Sequence, residues 1–417
     1  MNNFIFENRT KVYFGKGCVK EYLGCLLRSY GETVMLVCEK DSLTENGIYD
    51  EIRAVLEKAG KKVTEFSIAT GKPDYETVME GAKMAREQNE AFILGAGDGA
   101  VTDCCKAIAL AAVTKKDIWE TYWEKPGITD VEPLPVGIVV TAAGSGSACS
   151  GKAVLVRNGK TASTGRDYPW CSPRFALMDP SYTCTGPVKE MISSGFDALS
   201  YMMESYFSGP EGDNVSDDIA EALMKSIIRN LRAALRNPED YTARSNLLWA
   251  SALAGNRIPE LGKKGDGFCH DLERQLETWM GCSPGAALAV IQPVYYRHIC
   301  KDGLAQFVRF AENVWMIPRE GRTDEEMALA GIRALENFAG ELGLPATFGD
   351  GTKPGSAGGR QPEPGELQTV AAACKVSAGS YRRLDRTETE KGDRKNGICN
   401  IKQRCKNAHA WIRGISD

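Results

Sequence analysis

Two residues of the segment GFDALSYMMESY (195–206) have the spacing of a metal site. Asp197 and Tyr201 are four residues apart, and residues at this separation lie on one face of a helix. A carboxylate followed one turn later by a second ligand is a common way to hold a metal ion, but the second ligand is usually an imidazole. The pattern therefore indicates either an altered metal site or two polar residues that neighbouring groups satisfy.

A glycine-rich turn in FILGAGDGAVTDCCKAIAL (92–110) has the features of a phosphate-binding loop. Gly95, Gly97 and Gly99 lie between an apolar strand and the start of a helix. In that context backbone N–H groups and the helix dipole face a bound phosphate. A tight structural turn gives the same glycine spacing, and the strand–glycine–helix context favours phosphate binding.

Two carboxylates follow an earlier strand. Glu39 and Asp41, in the segment CEKDS, come directly after the apolar run TVMLVC (33–38). A carboxylate at this point of a dinucleotide-binding fold hydrogen-bonds the ribose 2′-OH, which favours NAD over NADP. The same two residues are equally compatible with an exposed loop.

The elements that would position these residues alternate over the first 187 residues. Short apolar runs such as TVMLVC and PVGIVVT (135–141) are typical of buried strands. DYETVMEGAKMAREQN (74–89) has helical spacing, with Asp74 as an N-cap. This alternation predicts an α/β domain built on a parallel sheet with helices on both faces.

The pattern changes near Pro187. Residues 188–345 have almost no strand-like runs, and segments such as VSDDIAEALMKSIIRNLRAALR (215–236) are amphipathic helices. We therefore expect a helical second domain, with a cleft between the two domains. Residues 346–417 form an irregular C-terminal extension, in which 350–366 are rich in glycine and proline. A flexible tail and an altered gene end both fit this stretch.

Composition narrows the class of protein further. The 417 residues carry a net charge of −4, with acids and bases mixed along the chain, which disfavours nucleic acid and anionic membranes as partners. The N-terminus has charges where a signal peptide needs an apolar run, and no stretch reaches the ~18 apolar residues of a membrane helix. Fourteen cysteines without a CxxC pair indicate reduced thiols. We expect a cytoplasmic protein.

Several ordered motifs resemble those of the iron-containing alcohol dehydrogenases. GAGDGAVTDCCKAIA resembles that family's Gly-Gly-Gly-Ser-x-x-Asp-x-x-Lys loop, and TAAGSGSACS resembles its Thr-x-Ala-Gly-Thr-Gly-Ser-Glu segment. GFDALSYMMESY resembles Gly-x-Asp-Ala-x-x-His-x-x-Glu-x-Tyr, and HDLERQLETWMGCSPGAALAVIQP resembles the stretch with the remaining metal histidines. The resemblance implies a Rossmann-like dinucleotide-binding domain (1–187), then an all-α metal and substrate domain (188–345), as in dehydroquinate synthase-like folds.

The resemblance also implies cofactors and a metal site. Members of the family use NAD or NADP, with Fe²⁺ or sometimes Zn²⁺, to interconvert small alcohols and aldehydes, and they are often homodimers. One Asp and three His bind their metal; by position these correspond to Asp197, Tyr201, His270 and Pro284. Asp197 and His270 thus keep their metal-ligand character. Cys282 and Ser283, beside Pro284, are alternative donors.

One further position argues against a metal. Arg274 replaces a histidine that the family often carries one turn after His270. A fixed cation there opposes a divalent ion, and the sequence suggests an ion pair between Arg274 and Asp197 in place of the metal.

The cofactor loop is also altered. Gly97, Asp98, Gly99 and Ala100 stand where the family has Gly-Gly-Gly-Ser. Unless Asp98 turns outward, its charge faces the pyrophosphate at a cost of roughly 1 to 4 kcal/mol. By resemblance, the other cofactor-facing positions are Thr141, Ser145 and Lys160, although Lys160 is as compatible with a solvated loop.

Two functions fit these observations. The first is an NAD(P)-dependent alcohol/aldehyde oxidoreductase with an atypical metal site. The alternative is a catalytically inactive homologue that keeps the fold as a binding or interaction module. Tyr201, Pro284, Arg274 and Asp98 favour the alternative, while family membership favours the oxidoreductase class.

Overall fold

The computed structural model describes residues 1–347 except 70, 126–130, 145, 165–166, 210–212 and 266. The predicted C-terminal extension therefore lies almost wholly outside the described residues. The chain divides into two compact units. The α/β unit consists of Ile5–Met191 and Arg236–Arg257, and the helical unit consists of Met1–Phe4, Ile192–Leu235 and the described residues from Ile258 onward.

The α/β unit is built on a six-stranded sheet in which every neighbouring pair is parallel. A small antiparallel hairpin lies outside this sheet. The order across the sheet is β1-β8-β5-β4-β2-β3. The strands are β1 (Lys11–Phe14), β2 (Thr33–Cys38), β3 (Lys62–Ser67), β4 (Phe92–Gly97), β5 (Val136–Val140), the hairpin strands β6 (Val154–Arg157) and β7 (Lys160–Ser163), and β8 (Phe175–Met178).

Helices cover both faces of this sheet. Side chains of β2 alternate between two apolar clusters: Val34 and Leu36 belong to one, Met35 and Val37 to the other. Because successive side chains of a strand point to opposite faces, one central strand contributes to two cores. The helices of this unit are α1 (Cys18–Leu26), α2 (Lys40–Glu45), α3 (Ile48–Lys58), α4 (Tyr75–Glu87), α5 (Gly99–Val113) and, later in the chain, α8 (Tyr241–Gly255).

Helix α8 belongs to the α/β unit although it falls within the range 188–345 that the sequence assigns to the helical domain. It packs on the turn Pro180–Cys184 and on the turn Ser147–Cys149. Both turns are parts of the α/β unit. These tertiary contacts, which amphipathic spacing does not report, decide where the helix belongs.

The helical unit contains no strand among its described residues. Helix α9 begins after Gly267 and ends at Gly281, both with positive φ, a backbone conformation that glycine adopts without strain. No helix in the described part of the chain has the length and apolar character needed to cross a membrane. The helices are α6 (Val188–Tyr206), α7 (Val215–Arg236), α9 (Phe268–Met280), α10 (Pro284–Ile299), α11 (Leu304–Arg309) and α12 (Asp324–Glu341).

Candidate nucleotide crevice and metal position

The sheet reverses its winding between β2 and β4. Strand β3 pairs with one side of β2, and β4 pairs with the other. In open α/β sheets, ligands bind outside the carboxyl ends of the strands at such a switch point. Glu39 follows β2 and Asp98 follows β4, so both predicted cofactor segments border this crevice.

The turn from β4 to α5 needs its glycines for close packing. A Cβ atom on Gly97 would lie 2.3 Å from Cγ2 of Val101, and one on Gly95 would lie 2.7 Å from Sγ of Cys105. Larger residues would push α5 away from the sheet. The glycine pattern thus has a structural reason, which is compatible with close approach of a phosphate.

Asp98 is the N-cap of α5. Its carboxylate accepts hydrogen bonds from the backbone N–H groups of Ala100 (2.9 Å) and Val101 (3.2 Å). The first N–H groups of a helix have no partner within the helix, and they are the groups that bind phosphate at such turns. A carboxylate of the chain itself therefore occupies the anion position of this helix.

A small pocket of about 30 Å³ lies beside this cap, lined by Asp98 and Gly99 and by Ala142 and Gly144 of the loop after β5. The Thr141 N–H donates to the carbonyl of Gly97 at 3.0 Å, which joins the two turns. The predicted residue Ser145 lies outside the described residues. Ala100, where the family has Ser, contributes an N–H to the cap and no hydroxyl.

The remaining predicted cofactor residues lie in different surroundings. Glu39 is half-buried immediately after β2, and Asp41 is exposed in the first turn of α2. Lys160 lies on the hairpin, where its Nζ is 3.7 Å from Glu124 and its side chain is 40% exposed. Lys160 does not line the pocket beside Asp98.

A buried Asp–Lys pair anchors the loop next to this pocket. Lys106 donates to the Ser147 carbonyl (2.6 Å), the Ser147 hydroxyl (2.7 Å) and the Lys152 carbonyl (2.6 Å). Asp103 accepts from the Ser147 hydroxyl and, at 2.9 Å, from the Val154 N–H. Asp103 and Lys106 are the Asp and Lys of the Asp-x-x-Lys part of the family's loop motif. The resemblance gave neither residue a role, and the motif was the signal for this pair.

Replacing Lys106 with alanine is expected to destabilise the protein strongly. Removing one partner of a buried pair leaves the other uncompensated, which costs about 3 to 5 kcal/mol. The matched control is Lys160→Ala, which removes an exposed pair of about 0 to 1 kcal/mol. Denaturant unfolding measures both variants, and equal midpoints for the two would contradict the anchoring role.

His270 is the centre of the predicted metal position. Asp197 and Glu204 project from α6, and His270 projects from the first turn of α9. The Nδ1 of His270 lies 2.5 Å from Oε2 of Glu204, and its Nε2 lies 3.2 Å from Oδ1 of Asp197. Burial lowers the pKa of His270, but the two carboxylates outweigh burial and raise it to about 10. The ring is fully buried between the two carboxyl groups.

Tyr201 and Arg274 complete the surroundings of this ring. The Tyr201 ring stacks on the imidazole, with centroids 3.8 Å apart. Burial, with the nearby charge of Asp197, raises the pKa of the Tyr201 phenol, so a phenolate ligand is disfavoured. Arg274 donates to Asp271 at 2.7 Å. The sequence suggests that Arg274 pairs with Asp197. Among the described contacts, the side chain that faces Asp197 is instead His270.

The fourth position supplies no ligand. Pro284 is the first residue of α10 and has no donor atom. The next residue, Gly285, approaches α6 so closely that its N–H donates to the Ser193 hydroxyl at 3.0 Å. In the described part of the chain, no three His, Cys, Asp or Glu side chains are arranged to hold a metal ion. Cys282 thus belongs to no such group, and the residues at the four ligand positions, with tyrosine at 201 and proline at 284, do not fit a metal.

Glu204 is the residue of this cluster that sequence reasoning missed. It accepts from the backbone N–H groups of Cys269 (2.6 Å) and His270 (3.2 Å) as well as from the ring. The signal for it was available, because Asp197, Tyr201 and Glu204 have the i, i+4, i+7 spacing of one helix face.

Comparisons with known proteins identify the class. The family model for iron-containing alcohol dehydrogenases matches residues 9–180. The model for the C-terminal part of the Fe-containing alcohol dehydrogenase family matches residues 191–353. This chain belongs to the iron-containing alcohol dehydrogenase family, so the predicted resemblance and the predicted fold class are confirmed.

Individual relatives agree with this assignment. NADH-dependent butanol dehydrogenase A of Clostridium acetobutylicum is 33% identical over 347 residues, 83% of this chain and 88% of that protein. NADPH-dependent aldehyde reductase YqhD of Escherichia coli is 30% identical over 351 residues, 84% and 89% of the two chains. The crystal structure of NADH-dependent butanol dehydrogenase A from Thermotoga maritima has a TM-score of 0.81 at 28% identity, covering 90% of each chain.

Proposed function

We propose that this chain binds a nicotinamide dinucleotide in the crevice outside the carboxyl ends of β2 and β4, and acts on small alcohols and aldehydes. The observation that carries this proposal is the switch point itself, where the strand–glycine–helix turn meets the segment that follows β2. Curated relatives named as butanol dehydrogenases and an aldehyde reductase support the substrate class.

NAD is the proposed form of the dinucleotide. Glu39 and Asp41 follow β2, the position from which an acid accepts a hydrogen bond from the ribose 2′-OH. A 2′-phosphate at the same place meets negative charge. Relatives named for NADH and for NADPH both occur in the family, so these two side chains, and not family membership, support the preference.

Fluorescence titration of the full chain with NADH and with NADPH tests this proposal. We expect NADH to bind more tightly than NADPH, and Glu39→Gln to narrow this difference in affinity by about fivefold, because one unit charge near the 2′-phosphate contributes on the order of 1 kcal/mol. Glu57→Gln, an exposed change at the end of α3, is the matched control. Equal affinity for both dinucleotides, unchanged by Glu39→Gln, would contradict the role of this carboxylate.

A second candidate function is favoured by the donor set around His270. Of the four positions that correspond to the family's metal ligands, only Asp197 and His270 carry side chains suited to the role. A homologue that keeps the fold as a binding or interaction module fits this pattern. Steady-state reduction of butanal by NADH, with and without added Fe²⁺ or Zn²⁺, separates the two: turnover supports the oxidoreductase, and nucleotide binding without turnover supports the module.

A further inference from the structure

Asp197 and Glu204 contact the ring of His270 at its two nitrogens. Each ring nitrogen contacts one carboxylate oxygen, at 2.5 Å to Glu204 and 3.2 Å to Asp197. A carboxylate only accepts hydrogen bonds, so a ring that donates from both nitrogens satisfies both partners. The two carboxylates lie on one face of α6 and the ring lies on α9, so these contacts join the two helices.

Glu204 also binds the N-terminal backbone of α9. Its Oε1 accepts from the Cys269 and His270 N–H groups at the start of α9. The residue before α9 is Gly267, which has no side chain to cap the helix. A carboxylate of α6 therefore takes the place of an N-cap, where negative charge also favours the helix dipole.

A metal ion in this place would have to displace these contacts. A histidine nitrogen binds a metal only without its proton, so an ion at Nε2 of His270 would break the contact between this nitrogen and Asp197. Tyr201 covers one face of the ring, with its centroid 3.8 Å from that of the imidazole. Tight protein metal sites supply three or four ligands, and Tyr201 and Pro284 supply none here.

We propose that the hydrogen-bonded cluster Asp197–His270–Glu204 has replaced the family's metal ion as the link between α6 and α9. The helical unit is accordingly stable without metal. This inference concerns only the helical unit and holds whether or not the α/β unit binds a dinucleotide.

Thermal unfolding of the full chain, followed by circular dichroism without nucleotide, tests this replacement. A ligand that binds only the native state raises the melting temperature, and its removal lowers it. We expect EDTA, Zn²⁺ and anaerobic Fe²⁺ each to shift the melting temperature by less than about 1 °C. A rise of several degrees with either metal, or a fall with EDTA, overturns the proposal.

A pair of variants tests the link itself. Glu204→Gln removes the charge that faces His270 while keeping the shape of the side chain, and it should lower the melting temperature by several degrees whether or not EDTA is present. Glu325→Gln, an exposed change in the first turn of α12, is the matched control. Equal melting temperatures for the two variants overturn the proposal. If Glu204→Gln does not fold, the metal and EDTA titrations of the unmodified chain decide the question.

Discussion

Replacing Asp98 with glycine is expected to tighten NADH binding by roughly fivefold or more, because a carboxylate some 4 Å from a phosphate charge costs roughly 1 to 4 kcal/mol. The Asp98 carboxylate now accepts from the Ala100 and Val101 N–H groups. Glycine removes the charge and releases both groups for a pyrophosphate. The stability cost is small, since glycine replaces a capping residue at a few tenths of a kcal/mol.

Two further variants separate charge from capping. Asp98→Asn keeps a good N-cap and removes the charge, so we expect an affinity between those of the unmodified chain and Asp98→Gly. Asp74→Gly, which deletes the equivalent carboxylate cap of α4, is the matched control and should leave NADH affinity unchanged. Calorimetric titration measures all four proteins. If Asp98→Gly binds NADH no better than the unmodified chain, the cap does not compete with the pyrophosphate.

The second large effect is expected from restoring two ligand positions. Tyr201→His combined with Pro284→His should raise bound Fe²⁺ or Zn²⁺ from well under one per chain to near one, because the set then has four ligands. Both positions belong to helices that already approach each other at Gly285 and Ser193. The restored Tyr201 position also adjoins the ring of His270.

Arg274 is expected to limit the metal occupancy of this double variant. Its guanidinium is paired with Asp271. A cation one helical turn from His270 opposes the binding of a divalent ion. Adding Arg274→His to the double variant should therefore raise occupancy further. Tyr201→Phe with Pro284→Ala changes the same positions without adding a donor and is the matched control. Metal analysis after dialysis measures each protein, and equal occupancy in the control and the double variant would contradict the ligand assignment.

Much of the fold follows from sequence pattern. The alternation of apolar runs and helical segments predicts the parallel sheet because each pattern is local to its own element. Asp74 was predicted as an N-cap from residue type, and its carboxylate accepts from the Thr77 N–H. The place of α8 was not predictable in this way, because it contacts two turns that lie more than fifty residues earlier in the chain.

The candidate site was less predictable. The resemblance placed Asp197 and His270 together, and the structure has them in contact at 3.2 Å. Residue type alone did not show which cation pairs with Asp197, since His270 and Arg274 share a helix face and only tertiary geometry selects between them. It also did not show that Asp98 caps its own helix, because that depends on a side-chain rotamer.

The most direct test of the account is the metal content of the unmodified protein, purified from cells grown with added iron and zinc. We predict well under one metal ion per chain, since Asp197 and His270 alone do not hold Fe²⁺ or Zn²⁺ tightly in water. Stoichiometric metal that is lost on His270→Ala would contradict it. That result would mean that another donor, such as Tyr201 or Cys282, completes a working metal site in this chain.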